Sequence, residues 1–274
     1  MRSRVELVAD VGDDGRPVLV RALADGQFAV RATGPGQVHL VGTAAGPLGG
    51  DELDVVVRVR PGATLAVRGV AASLALPGRS DAPGRVVTTL EVGEGARLDY
   101  TPSPLIMCRG ARLTTVTTLV AAGTAVVDLT EAVVLGRHGE AGGDWSGRLV
   151  ADRAGFPVLR TTQASALVAS ARPDGAAPAR RAVLTRLLLG GGLDHSTASV
   201  HGAAVRCPLA AGATLVTALG AGLTEAEREV AALLPDLLPA APPATAAGAG
   251  RARAPRPTAG GLSQRPPAAG VQAF

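Results

Sequence analysis

The chain of 274 residues contains no lysine, no asparagine and one isoleucine, Ile106. Its aromatic residues are Phe28, Tyr100, Trp145, Phe156 and Phe274, 2% of the chain. So few aromatics exclude stacking-based recognition of single-stranded nucleic acid or sugars, which needs aromatic platforms. They also leave the core to Val, Leu and Ala. The two cysteines, Cys108 and Cys207, fit no metal-ligand spacing. A chain this long buries enough surface to fold without a disulfide. The missing lysine reads as the bias of a GC-rich genome and carries no functional meaning.

Several signatures of chemistry are also missing. There is no Walker A motif, no G-x-S-x-G, no H-E-x-x-H and no Cys-x-x-Cys. The start, MRSRVELVADVGDDG, lacks the apolar core of a signal peptide. The longest uncharged run, 207–224, is broken by Pro208, Gly212, Gly220 and Gly222 and reads poorly as a membrane span. These features predict a cytoplasmic protein with no membrane and no nucleic-acid partner. The net charge of +4 and pI near 10.2 do not change that reading. Acids and arginines balance up to residue 238, and the excess is Arg251, Arg253, Arg256 and Arg265. A basic tail is not a basic face.

Composition divides the chain into a β-rich domain, 1–238, and a disordered Pro/Ala/Arg tail, 239–274, too poor in large apolar residues to offset its conformational entropy. Within the first part, apolar residues alternate. In LDVVVRVR, Val55, Val57 and Val59 share a face. RVVTTLEV (85–92), RLTTVTTLV (112–120), TAVVDLTEAVVL (124–135) and 198–206 read as further strands. A Gly-Ala/Thr-x-Leu/Val turn recurs at Gly62, Gly95, Gly123 and Gly212. The first two gaps are 33 and 28 residues, and the third, 89, is close to three more units. Such spacing predicts stacked β-coils of β-helix-like type, or a regular meander of hairpins. About two helices are expected. One is 223–238, with Thr224 as N-cap and Glu227 completing a capping box. The segment 180–190 reads as either helix or strand.

Chemistry-bearing residues are few. His195 and His201, with Asp194 and Cys207, are a conceivable metal cluster, but in no recognised spacing. Asp51, Glu52 and Asp54 follow a Gly-rich turn, where they form either a hard-cation site or a charged hairpin tip. Glu131 stands inside an apolar strand, which is costly unless it is paired, for example with Arg137, or functional.

The stretch 94–140 resembles the urease accessory protein UreD (UreH) family. The resemblance rests on Gly95-Ala96, Tyr100, Pro102, Pro104, Gly110-Ala111-Arg112, Glu131, Leu135-Gly136-Arg137 and Gly139-Glu140, in that order. Upstream, GPLGGDEL (46–53) is similar to the family's Gly-Gly-Asp turn, with Gly49, Gly50 and Asp51. Arg68-Gly69-Val70 and Met107-Cys108 depart from the family pattern.

The resemblance implies a non-catalytic scaffold of stacked β-coils that works with UreF and UreG to deliver nickel to apo-urease, as a dimer of heterodimers with UreF. No cofactor is permanently bound; nickel is in transit. The exchangeable ligands expected along its path are Glu131, Asp128, Thr115 and Thr117. Asp51, Gly49, Gly50, Arg112, Gly136, Arg137 and Glu140 are expected to shape partner or structural motifs. Two other readings stand beside this one. The first is an adaptor with no metal path. The second is a β-solenoid polysaccharide-active enzyme using Asp99, Asp128 and Glu131.

Overall fold

The computed structural model describes residues 1–79, 81–170 and 180–234, so the tail expected over 239–274 lies outside the described residues. Strands and helices are numbered in chain order. Two sheets face each other. The seven-stranded sheet runs in the order β14 (Phe156–Ala164), β13 (Asp144–Arg153), β11 (Arg112–Ala121), β8 (Gly84–Val92), β5 (Glu52–Val59), β1 (Arg2–Val11) and β2 (Pro17–Ala24). The larger sheet runs β16 (Ser199–His201), β17 (Ala204–Leu209), β18 (Ala213–Gly220), β15 (Ala182–Leu189), β12 (Val126–Leu135), β9 (Arg97–Thr101), β6 (Thr64–Gly69), β4 (Gln37–Gly42) and β3 (Phe28–Gly34). Two short strands, β7 (Ser73–Ala75) and β10 (Leu105–Met107), branch from β12.

The middle of the chain alternates between the sheets. β5, β8, β11 and β13 pair in parallel in one, and β6, β9 and β12 in the other. The result is a mainly β molecule of stacked coils, about four turns of a β-solenoid. The repeat read from the sequence is the corner of each coil. Gly62 and Gly95 turn it at φ 75° and 63°, the left-handed region that only glycine enters cheaply. Gly123 fills the same corner without a positive φ.

The repeat does not continue as far as its spacing suggested. Gly212 turns the antiparallel hairpin β17–β18, and most of the 89-residue gap holds antiparallel strands that cap the coils. A Gly-Ala hairpin and a coil corner ask for the same residues, so the motif alone does not separate them.

Alternation sets the core. Val55, Val57, Val59, Leu65, Leu90, Leu98, Leu119 and Leu129 fill the space between the sheets. Outside the large sheet, helix α2 (Leu223–Leu233) lays Ala226, Val230 and Leu233 on Leu184, Leu188 and Val216. Its N-cap is Gly222, not Thr224, and no side chain caps the backbone. Glu225 instead accepts a hydrogen bond from the Ala221 N–H (2.8 Å). The segment 180–190 forms strand β15, buried on both faces. The short α1 (Ser165–Ser170) has too few apolar positions to show a helical period.

Candidate functional site: a polar cavity between the sheets

On β12 the odd residues Val127, Leu129, Val133 and Leu135 point to the core, so Glu131 does too. The strand's period forces a carboxylate into the interior. It faces a cavity of about 130 Å³ between the sheets, whose lining contains no other acid among the described residues. Glu131 Oε1 accepts a 2.5 Å hydrogen bond from Thr117 Oγ1 on β11. Burial pushes the Glu131 carboxyl pKa up, and the Thr117 bond offsets part of that rise. No arginine pairs with it among the described residues. Arg137 is engaged by Glu140 (2.8 Å), so the pairing considered for Glu131 does not occur.

Other polar groups join it. The Tyr100 and Thr88 hydroxyls line the cavity, and burial raises the phenol's pKa above its ordinary value, an effect Thr88 partly offsets. Trp145 Nε1 donates to Thr115 Oγ1 (3.1 Å). Gln163 Nε2 lies 3.0 Å from Thr185 Oγ1. The rest of the lining is largely apolar, including Leu53, Val55, Val86 and Val133. The cavity is therefore an apolar sleeve with a file of neutral oxygens and one carboxylate, and it is large enough for several waters.

Of the four expected path residues, the structure brings Glu131, Thr115 and Thr117 together. Asp128 is placed elsewhere. It is three residues from Glu131, an odd number, so it points out of the large sheet. There it is gripped by Arg186 Nε and Nη2 at 2.8 and 2.5 Å. Its neighbour in register, Asp99, pairs with Arg68 on the same outer face. The three acids considered for a hydrolase thus divide across the sheet, and the facing carboxylates that glycoside hydrolysis needs are not assembled.

The family-motif residues shape the loops. Asp51 is buried and holds Gln27 Nε2 (2.6 Å), the Leu48 N–H (2.9 Å) and the Met1 amine (2.5 Å). These partners hold its carboxyl below the usual range. Glu52 and Asp54 point outward, so the three acids make no cation site. At Gly49 a Cβ would come within 2.8 Å of the Gly78 nitrogen, and Gly50 has φ 82°. Arg112 donates to the Asp81 carbonyl (2.7 Å). Glu140 accepts from the Arg137 side chain and from the Arg109 and Arg137 N–H groups, which hold its pKa at about 2. Gly136 leaves room for Arg181, whose guanidinium clasps the carbonyls of Leu135, Arg137 and Glu140.

His195 spends both ring nitrogens on Thr214 (2.8 Å) and the Gly190 carbonyl (3.0 Å). Asp194 binds Ser196 and Thr197, and His201 lies 3.8 Å from Glu229. Among the described residues no group of three His, Cys, Asp or Glu is placed to hold a metal.

Thr88 belongs to a stretch read as a strand and Tyr100 to the family-like stretch, but Gln163, Thr185 and Trp145 are not singled out by the sequence as cavity residues. The available signal was a lone Trp two residues before Gly147 and a Gln ending a Thr-rich strand. Neither shows which sheets will face each other.

The family model described as UreD urease accessory protein matches residues 3–234. Named relatives include "Urease accessory protein UreD" of Parafrankia sp. (strain EAN1pec), 35% identical over 80% of this chain and 82% of the relative. "Urease accessory protein UreD 3" of Streptomyces griseus subsp. griseus is 38% identical, over 80% of this chain and 92% of its own. "Urease accessory protein UreD 1" of Saccharopolyspora erythraea is 30% identical over 85% and 94%. A match across nearly every described coil, by the family model and by full-length relatives alike, means that this chain belongs to the UreD family of urease accessory proteins.

Proposed function

We propose that the chain is a non-catalytic scaffold which, with UreF-like and UreG-like partners, delivers nickel to apo-urease, and that nickel passes through the cavity at Glu131. The observation that carries this reading is a carboxylate between two sheets, the one acid among the described lining residues, whose hydrogen-bond partner is a hydroxyl and not a cation. A structural carboxylate in such a place would be paired with a cation. A carboxylate kept for a transient cation must not be.

The chemistry suits transit. Nickel held by thiolates and imidazoles in a closed cage leaves slowly, whereas carboxylate, hydroxyl and water are weaker and exchangeable ligands. Burial raises the Glu131 carboxyl pKa, so a cation reaching it would compete with a proton for the same oxygens more than at an exposed glutamate. Thr117 keeps the carboxylate aimed and supplies a second oxygen. Cytoplasmic work and docking through the chain's outer surfaces complete the proposal.

The test is activation of apo-urease by the co-purified complex of this chain with the host's UreF and UreG homologues. Glu131→Gln keeps the shape and removes the charge. Intact assembly with nickel transfer lost supports the passage. Unchanged transfer leaves an adaptor with no metal path, and failure of the chain to join either partner overturns the scaffold reading itself.

A further inference from the structure

The cavity contains more than one polar station. Two hydrogen-bonded pairs span it, each with one partner on each sheet, Thr117 with Glu131 and Gln163 with Thr185, and the hydroxyls of Thr88 and Tyr100 also line it. Two register neighbours connect these residues within the sheets. Thr88 neighbours Thr117 on β8 and β11, and Glu131 neighbours Thr185 on β12 and β15. Adjacent strands are about 4.8 Å apart. An ion leaving Glu131 therefore meets Thr185 one strand away, without crossing an apolar gap.

Gln163 is positioned to act with Thr185. It sits on β14, the edge strand of the seven-stranded sheet, and no residue of β16, β17 or β18 lines the cavity beyond it. Among the described residues the pair is thus the last polar group of the lining on that side. Thr185 is buried, and its hydroxyl lies 3.0 Å from Gln163 Nε2 and 3.3 Å from Oε1. Both amide atoms lean on one hydroxyl. While that contact holds, the two side chains close the end of the file. If the amide turns its oxygen inward, the same two residues offer an amide oxygen and a hydroxyl to a cation, both neutral and weaker ligands than the carboxylate.

We propose that Gln163 and Thr185 form a second, neutral cation station that accepts the divalent ion from Glu131 and closes behind it. This proposal rests on the passage reading above. It gives that passage an intermediate set of uncharged oxygens, so the ion need not leave the carboxylate for purely apolar surroundings.

The test uses the reconstituted complex with apo-urease and nickel, and follows nickel by metal analysis in both urease and the accessory complex. Gln163→Met keeps the length and removes the oxygen. It is expected to slow transfer ~10-fold, the loss typical when one member of a metal's ligand environment is removed. Gln163→Glu is expected to do the opposite to the ion, retaining nickel on the accessory complex after urease has been separated. A merely structural glutamine would not produce that retention.

Slow transfer by Q163M together with retention by Q163E supports the station. Normal transfer by Q163M, or slow transfer without retention by Q163E, overturns it. If Q163M does not assemble, Thr185→Val takes its place under the same criteria. Glu131→Gln run in parallel separates the two claims. If that variant transfers nickel normally, the passage itself falls. If it is inactive while Q163M is normal, only the second station falls.

Discussion

Glu131 is a residue whose cost and use have the same cause. Burial raises its folded-state pKa. An acid with a raised folded pKa binds more protons folded than unfolded, so its contribution is fully present below the unfolded value, about 4.3, and is lost as pH rises through the folded pKa. Glu131→Gln removes this dependence. Its melting temperature should therefore gain on the parent's as pH is raised from 5 upward. A gap that is flat with pH would mean the carboxyl is already ionised at low cost. Trp145 depends on its neighbour in a different way. A Cβ on Gly147 would lie 2.2 Å from the indole Cζ2, so Gly147→Ala must move the ring that holds Thr115. Overpacking of this kind costs ~1–3 kcal/mol. Trp145→Phe loses one neutral hydrogen bond, ~1 kcal/mol, and also part of a buried ring, which leaves a void. Urea unfolding should show a lowered midpoint for both variants, and an unchanged midpoint for either would contradict this packing.

The coil, one strand in each sheet and a corner between them, is the element in which sequence and structure agree best. Val55, Val57 and Val59 face the core as their alternation requires, and Gly62 and Gly95 stand at its corners. The glycines are not equivalent. Gly62 needs its φ of 75° but has space around it, with the nearest atom to an added Cβ at 3.7 Å. Gly136, at φ 78°, would push a Cβ to 2.3 Å from the Glu140 carbonyl and 2.7 Å from Arg181 Nη2. Gly62→Ala should therefore cost only the left-handed strain, ~1–2 kcal/mol. Gly136→Ala should cost more, because it also dislodges the Arg181 clasp, and equal shifts in denaturant midpoint would contradict this. The period also shows where sequence reading ended. It places Glu131 inside and Asp128 outside, a distinction available from residue parity once the strand is known. The opposite number of each inward residue was not available. Gln163 and Thr185 meet only because β14 and β15 lie in facing sheets, and that depends on topology, not on local pattern.

At the scale of the molecule, the family match ends at residue 234, directly after α2. The packing explains why the boundary falls after α2. The large sheet is buried on its inner face by the coils, but its outer face carries Leu184, Leu188 and Val216, and α2 covers them with Val230, Leu233 and Leu234. A strand such as β15, apolar on both sides, needs a second layer. The helix is thus part of the domain's core, although it comes after the last strand. Two stop codons test this. A chain ended after Leu238 keeps every residue of the cluster and should melt with the full-length protein and assemble as it does. A chain ended after Gly222 uncovers the Leu184–Leu188 face and should aggregate or fall in melting temperature. Leu233→Ala is the graded version. It empties one buried side chain and should cost ~2–5 kcal/mol. If the shorter chain matched the longer in melting and partner binding, α2 would be an appendage, and the buried face of β15 would have to find its cover in a partner protein.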